Sequence, residues 1–311
     1  MVSYRAPPAT PNLVAMKLGL LLIAFAPSLA RAQSLEPRLY LPLPTGLNTI
    51  ALSYAYSSGS VVFDGTTVVT DAHVTMHNGV VALVRTFGLA GRSAQLQAVA
   101  PIVSGNARGL VSGQEASRDL RGLADPQLRF AVNLMGGPAR RRAQLAGVRF
   151  GTIVGASLTL SLPLGNYDND RLVNVGANRW AVKPELGLVQ PLGGGWAVEA
   201  YAGVWLFGHN TAYLDTSTVT QEPLAVLQGH VIRLLGRRGW LAFDAAMVRG
   251  GTTKLDGAEQ TNFQNNARLG GTGAWFLGHG HALRAAVSFG AYTRFGGDFQ
   301  VVSVGYSYSW E

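Results

Sequence analysis

The last strand-like stretch of the chain shows its pattern most clearly. Val302, Val304, Tyr306, Tyr308 and Trp310 alternate with Val301, Ser303, Gly305, Ser307 and Ser309. Successive side chains of a β-strand point to opposite faces, so this segment has one apolar, aromatic face and one small, polar face. The same period of two recurs upstream. Leu283, Ala285, Val287, Phe289 and Ala291 alternate with Arg284, Ala286, Ser288, Gly290 and Tyr292, and Leu269, Gly271, Gly273, Trp275 and Leu277 alternate with Arg268, Gly270, Thr272 and Ala274. Stretches 125–134 and 156–162 read the same way, and noisier ones lie at about 47–57, 73–87, 93–103, 180–191, 196–208, 224–235 and 240–250. That makes twelve alternating segments, with a bulge expected near Asn78-Gly79 in the least regular of them.

The connections alternate in length. Short turns are expected near Leu89-Ala90-Gly91, Gly137-Pro138-Ala139, Gly193-Gly194-Gly195, Arg237-Arg238 and His279-Gly280, and longer polar connections at about 58–72, 104–121, 165–179, 209–223 and 251–261. A last short one falls at Gly296-Gly297-Asp298. This is the rhythm of a barrel with short turns at one rim and long loops at the other. Segments of about 9–12 residues can cross a bilayer when tilted. Their polar face is mostly Ser, Thr, Gly, Asn and Gln with isolated charges, which suits a lumen better than the surface of a soluble domain. Closure removes the unpaired strand edges that lipid cannot satisfy. Tyr54, Tyr56, Trp180, Trp196, Trp275, Tyr306, Tyr308 and Trp310 fall where interfacial girdles belong. The pattern predicts an all-β fold, a closed antiparallel up-and-down transmembrane β-barrel of about 12 strands over residues 47–311, in the outer membrane and in contact with its lipid. The final strand, with Trp310 penultimate and Glu311 after it, resembles the signal read by the outer-membrane assembly machinery.

Residues 1–32 read as a cleaved signal peptide. Lys17 precedes the apolar run Leu18–Ala26, and Ala30-Arg31-Ala32 is a small-x-small processing pattern that places the mature start at Gln33. Met16-Lys17 opens a compact signal by itself, which makes Met16 an alternative true start. Residues 33–46, with Pro37, Pro42 and Pro44, are expected to form a periplasmic lead-in that partly plugs the lumen.

Composition sharpens this picture. Of 311 residues 14% are charged and 39 are Gly, and there is no Cys, which excludes disulfides, thiolate metal sites and cysteine catalysis. Part of the formal charge of +8 sits in the leader, and the rest is scattered, so no concentrated basic face marks nucleic-acid binding.

With these faces, the lumen receives Asp125, Arg129, Lys183, Glu185, Glu199, His230, Asp244, Arg268, Arg284 and Arg294. They are the candidates for lumen lining and selectivity, through charged rings or self-neutralising cross-barrel pairs. His230 is expected opposite Asp244, and Asp244 opposite Arg268, either as a stabilising polar row or as a pH-sensitive constriction. The connection 104–121, with Arg108, Glu115, Arg118, Asp119 and Arg121, is the expected inward-folding selectivity loop. No Gly-x-Ser-x-Gly elbow occurs. His73 and His77 would lie about 13 Å apart on one strand face, too far for one ion, and Asp168-Asn169-Asp170 lacks the spacing of a Ca²⁺ loop. No catalytic, cofactor or metal site is expected.

Gly122-Leu123-Ala124-Asp125-Pro126, then Leu162-Pro163-Leu164-Gly165-Asn166-Tyr167, then Lys183-Pro184-Glu185-Leu186-Gly187 resemble, in order and spacing, the outer-membrane family labelled "putative MetA-pathway of phenol degradation". The resemblance implies a porin-like transporter barrel associated with breakdown of aromatic compounds. It supplies no substrate and no catalytic residues. The expected function is passive uptake of small, aromatic or otherwise hydrophobic solutes. Two alternatives are a non-conducting ligand-binding or structural barrel and an outer-membrane lipid hydrolase or acyltransferase.

Overall fold

A computed structural model describes residues 35–62, 69–111, 113–145, 148, 150–171 and 173–311. The signal peptide, its cleavage point and the Met16 start lie outside the described residues.

The strands are β1 (Asn48–Val62), β2 (Val69–Leu89), β3 (Arg92–Val111), β4 (Gln114–Leu123), β5 (Gln127–Met135), β6 (Ile153–Ser161), β7 (Ala181–Gly193), β8 (Trp196–Phe207), β9 (Asn210–Tyr213), β10 (Ser217–Gln221), β11 (Leu224–Leu234), β12 (Gly239–Gly250), β13 (Thr253–Leu255), β14 (Ala258–Glu259), β15 (Gln264–Gly278), β16 (His281–Thr293) and β17 (Gly296–Trp310). Twelve of them pair antiparallel in a ring, β1-β2-β3-β5-β6-β7-β8-β11-β12-β15-β16-β17, and β17 pairs back onto β1. The barrel is closed, as the alternation requires.

Exposure follows the same period of two. Along β12, Trp240, Ala242, Asp244, Ala246 and Val248 are buried inward, while Leu241, Phe243 and Met247 face out. Leu186, Leu158 and Phe243 are more than half exposed, as lipid-facing positions must be. The eight girdle aromatics named above are all exposed. Both ends of the barrel sequence meet at the rim of short turns, where Asn48 pairs with Trp310.

Three expectations are corrected. Connection 104–121 does not fold inward. Residues 102–111 pair with β2 on one side and β4 on the other, so their backbone is fully committed and the hairpin continues the wall above the barrel. The connection after β5 is not a short turn. The described residues of 136–152 form a cap that includes α1 (Arg142–Leu145), and its Arg140 carbonyl accepts from the Thr45 N–H at 2.8 Å. The irregularity in β2 lies between Thr70 and His73, whereas Asn78 and Gly79 keep regular register with Ala55 and Tyr54.

Candidate functional site: a strapped lumen with a broken wall

Residues 35–41 run inside the barrel. Glu36 Oε2 pairs with Arg129 Nη2 of β5 at 2.7 Å, and the Glu36 N–H donates to Gln228 Oε1 of β11 at 3.1 Å. Arg38 grips Glu199 of β8 twice, through its N–H to Oε2 at 2.7 Å and Nη1 to Oε1 at 3.1 Å. The carbonyl of Leu39 accepts from Gln95 Nε2 of β3 at 2.9 Å. This strap therefore ties itself to four strands through charged or amide groups, where each charge meets its complement.

Tyr40 is its anchor. The ring is 2% exposed and stands edge-on to Tyr201 at 5.1 Å. Its hydroxyl lies 3.1 Å from Ser157 Oγ and 3.2 Å from Glu185 Oε1, whose other oxygen is held by Lys183 Nζ at 2.7 Å. Burial, reinforced by the Glu185 charge, pushes the Tyr40 phenol pKa up, so it stays protonated and able to donate. The slot for the ring is made by Gly155 of β6 and Gly187 of β7, which pair across the ladder. A Cβ on Gly155 would meet the ring at 2.2 Å, and one on Gly187 at 2.1 Å. Only glycine at both positions admits the ring.

A second polar group sits beside the strap. His230 is directly opposite Asp244, as the sequence predicts, with Nδ1 donating to Oδ1 at 2.7 Å. Asp244 is not opposite Arg268, however. It faces Gly270, and its second oxygen takes the Thr272 hydroxyl at 2.6 Å. The 251–263 connection is asymmetric by two residues, which slides the pairing. Both side chains of the His230–Asp244 pair are fully buried, so the pair braces the wall and does not line an open pore. Replacing His230 by Ala should cost about 2 kcal/mol, measured by urea unfolding in vesicles, because Asp244 loses one of two buried donors. Its conductance should follow the wild type from acidic to neutral pH.

The described residues of the loop 162–180 pack over the other end. Asp125 accepts the Gly165 N–H at 3.0 Å and the Ala177 N–H at 2.8 Å on separate oxygens. Asn166 clasps Leu123 through both backbone and side chain. Thus fastened, the loop lowers Val173 and Val175 into an apolar cluster with Val74, Met76, Val103, Leu120 and Phe299. Arg179 lies 4.8 Å over the Phe207 ring and donates to Gln221. Burial pushes its pKa down to about 10 against the opposing pull of Asp125.

The strap covers the walls from β3 to β15. On the remaining side, small inward residues of β16, β17, β1 and β2, among them Ala51, Ala55, Ala82, Ala286, Ser303 and Gly305, are not buried. Arg284 borders this side, inward but accessible, 5.9 Å from the Trp240 ring. Of the ten candidates, Asp125 is at the mouth and Arg129, Lys183, Glu185, Glu199, His230, Asp244 and Arg268 are inward and buried. Arg294 is not in the lumen. It is exposed in the β16–β17 turn, over Phe263 at 5.2 Å, because β16 ends one residue before it.

Near that turn the wall comes apart. Pairing of β16 with β17 stops at Ser288 and Val301, although β16 runs to Thr293 and β17 begins at Gly296. Arg268 of β15 reaches past β16 and gives Nη2 to the Phe299 carbonyl at 2.8 Å and to Ser288 Oγ at 2.9 Å. Two residues up β15, Asn266 Nδ2 holds the Phe295 carbonyl at 2.8 Å. Side chains of β15 thus satisfy groups on the segment that β16 leaves unpaired. A cavity of about 710 Å³ occupies the break, lined by Ser58, His73, Val287, Phe289, Gln300 and Val302 among others. Its lining sets outward Val287, Phe289 and Val302 beside Ser288 and Val301, the last paired residues of the two strands.

The closed ring, the lipid-facing exterior and the polar interior define an outer-membrane β-barrel of porin-like build. The chain belongs to the family described as "Putative MetA-pathway of phenol degradation", which it matches over residues 59–299. Its fold is similar to the crystal structure of an outer membrane channel from Pseudomonas putida F1, with a TM-score of 0.75 and 21% identity over 89% of this chain and 100% of that one. The β domain of the Bordetella autotransporter Brka is similar at a TM-score of 0.50 and 15% identity, over 85% and 100% respectively. No curated protein matches the chain.

Sequence reasoning missed the strap residues Glu36, Arg38 and Tyr40 as partners of the lumen charges. A signal existed, since paired glycines on neighbouring strands on one face leave room for something large. It does not say what fills that room.

Proposed function

We propose that this protein is a channel for small hydrophobic solutes, aromatic ones included, which pass between lumen and membrane through the gap between β16 and β17. One observation carries the reading. The strap and the apolar mouth cluster narrow the axial route, while the β16–β17 ladder is unpaired beyond Ser288 and Val301, beside apolar Val287, Phe289 and Val302. A solute dissolved in the bilayer reaches such a gap without crossing polar loops. The family's link to phenol degradation supports aromatic cargo, and the similar protein from Pseudomonas putida F1 is itself an outer membrane channel. No bond is made or broken; selectivity rests on gap width, on the small-residue wall and on the inward charges.

In this reading the short-turn rim faces the periplasm, the chain is processed near Ala32/Gln33, and the strand ending at Trp310 guides assembly. The test uses the absence of native cysteine. In Gln300→Cys, coupling a bulky maleimide fills the gap from its edge. Entry of a small phenol into proteoliposomes should then fall to near the empty-vesicle rate, while ion conductance stays unchanged. Equal phenol entry with and without the label would overturn the route.

A further inference from the structure

The short-turn rim carries a charge excess that conduction does not use. Arg85, Arg92, Arg140, Arg141, Arg142, Arg233, Arg237 and Arg238 all lie there. Among the described residues, Glu311 is the one acidic side chain at this rim, and it is already paired with Arg142 at 2.9 Å. The remaining described acids lie in the lumen or toward the long-loop rim. Water and scattered counter-charges suffice for solubility, so a one-sided ring of arginine points to an anionic partner.

The β11–β12 turn is where this excess meets the membrane. Arg237 and Arg238 are exposed and their side chains have no partner among the described residues. The Arg238 carbonyl accepts from Phe276 N–H at 2.8 Å, which holds the turn beside Trp275, nearly half exposed on the lipid side. Arg233 lies 5.1 Å over the exposed ring of Trp196 and donates to the Gly194 carbonyl. Three guanidinium groups therefore stand at the level of the aromatic girdle, where indole rings sit among lipid headgroups. Guanidinium presents paired donors that match phosphate oxygens, and its charge does not titrate away.

We infer that Arg233, Arg237 and Arg238, walled by Trp196 and Trp275, form a docking site for the phosphate headgroup of an anionic phospholipid. The aromatic wall selects a membrane-embedded partner over a free polyanion, because apolar surface is offered directly beside the cations. Each arginine near an anionic surface contributes about 1 kcal/mol, so loss of all three weakens binding on the order of a hundredfold.

The experiment compares the folded barrel with Arg233→Gln/Arg237→Gln/Arg238→Gln, using native mass spectrometry and nanodiscs of phosphatidylglycerol or phosphatidylcholine. Arg118→Gln/Arg121→Gln at the opposite rim is the control, and heat-modifiable gel mobility confirms folding of each variant. The wild type and the control should retain phosphatidylglycerol over phosphatidylcholine, and the triple variant should lose that preference. Equal retention of both lipids by the wild type would overturn the proposal, as would an undiminished preference in a folded triple variant. If the triple variant does not fold, raising salt decides with the wild type alone. The preference should collapse at high salt, and a salt-independent one would refute a charge-based dock. Binding of soluble anionic glycan fragments in place of lipid would also refute it.

Discussion

Deleting residues 35–43 should raise single-channel conductance several-fold while leaving a folded barrel. The barrel ladder starts at Asn48 and does not depend on the strap for any strand pairing. Removing the strap frees Arg129, Glu185, Glu199 and Gln228, all buried now. They are not left as orphans in a dry core, since water enters the space the strap vacates and solvates them. The penalty for exposing them is therefore much smaller than for a truncated buried pair. The emptied lumen would present Arg129, Lys183, Arg268 and Arg284 against Glu185, Glu199 and Asp244, four cationic and three acidic groups. A weak preference for anions should appear in reversal potentials. A milder version follows from the anchor. Tyr40→Ala empties the slot between Gly155 and Gly187 and removes the contact with Glu185, so openings should become frequent but brief. Conductance unchanged by the deletion would show that ions already bypass the strap along the small-residue wall of β16, β17, β1 and β2.

The strand plan was legible in the sequence because lipid and lumen impose opposite chemistry on alternate residues. A strand such as β17, read as Val302-Val304-Tyr306-Tyr308-Trp310 against Ser303-Gly305-Ser307-Ser309, has no second interpretation once closure is required. Register was legible across the tight turn at Arg237-Arg238, which puts His230 opposite Asp244. It was lost across 251–263, where a small sheet of β13 and β14 with β9 and β10 consumes residues unequally and Asp244 meets Gly270. Loops were the weaker part. Charge drew attention to 104–121, but backbone pairing decided its course, and pairing leaves no mark in composition. The inward loop was 162–180, whose lowered residues, Val173 and Val175, are unremarkable in a sequence. The break in the wall was also invisible, because β16 and β17 keep their alternation through the positions where they no longer pair.

The motifs that carried the family resemblance converge on one contact, which leads to the second large effect. Asp125, from Gly122-Leu123-Ala124-Asp125-Pro126, holds the Gly165 N–H of Leu162-Pro163-Leu164-Gly165-Asn166-Tyr167, and Leu123 is clasped by Asn166. Asp125→Ala should cost about 3 kcal/mol, because two charge-assisted bonds to half-buried backbone N–H groups vanish. The loss falls first on the loop. With Gly165 and Ala177 released, Val173 and Val175 withdraw from Val74, Met76 and Phe299, and the apolar mouth opens. Hydrogen exchange at Gly165 and Ala177 should speed up while the strand amides of β5 and β6 stay protected. Axial permeation of small sugars should rise above the wild-type level in liposome swelling. Asp125→Asn keeps one acceptor oxygen and should fall between the two. Retained protection at Gly165 and Ala177 in Asp125→Ala would mean that Asn166 and the valine cluster hold the mouth by themselves, and the carboxylate would lose its place as the latch.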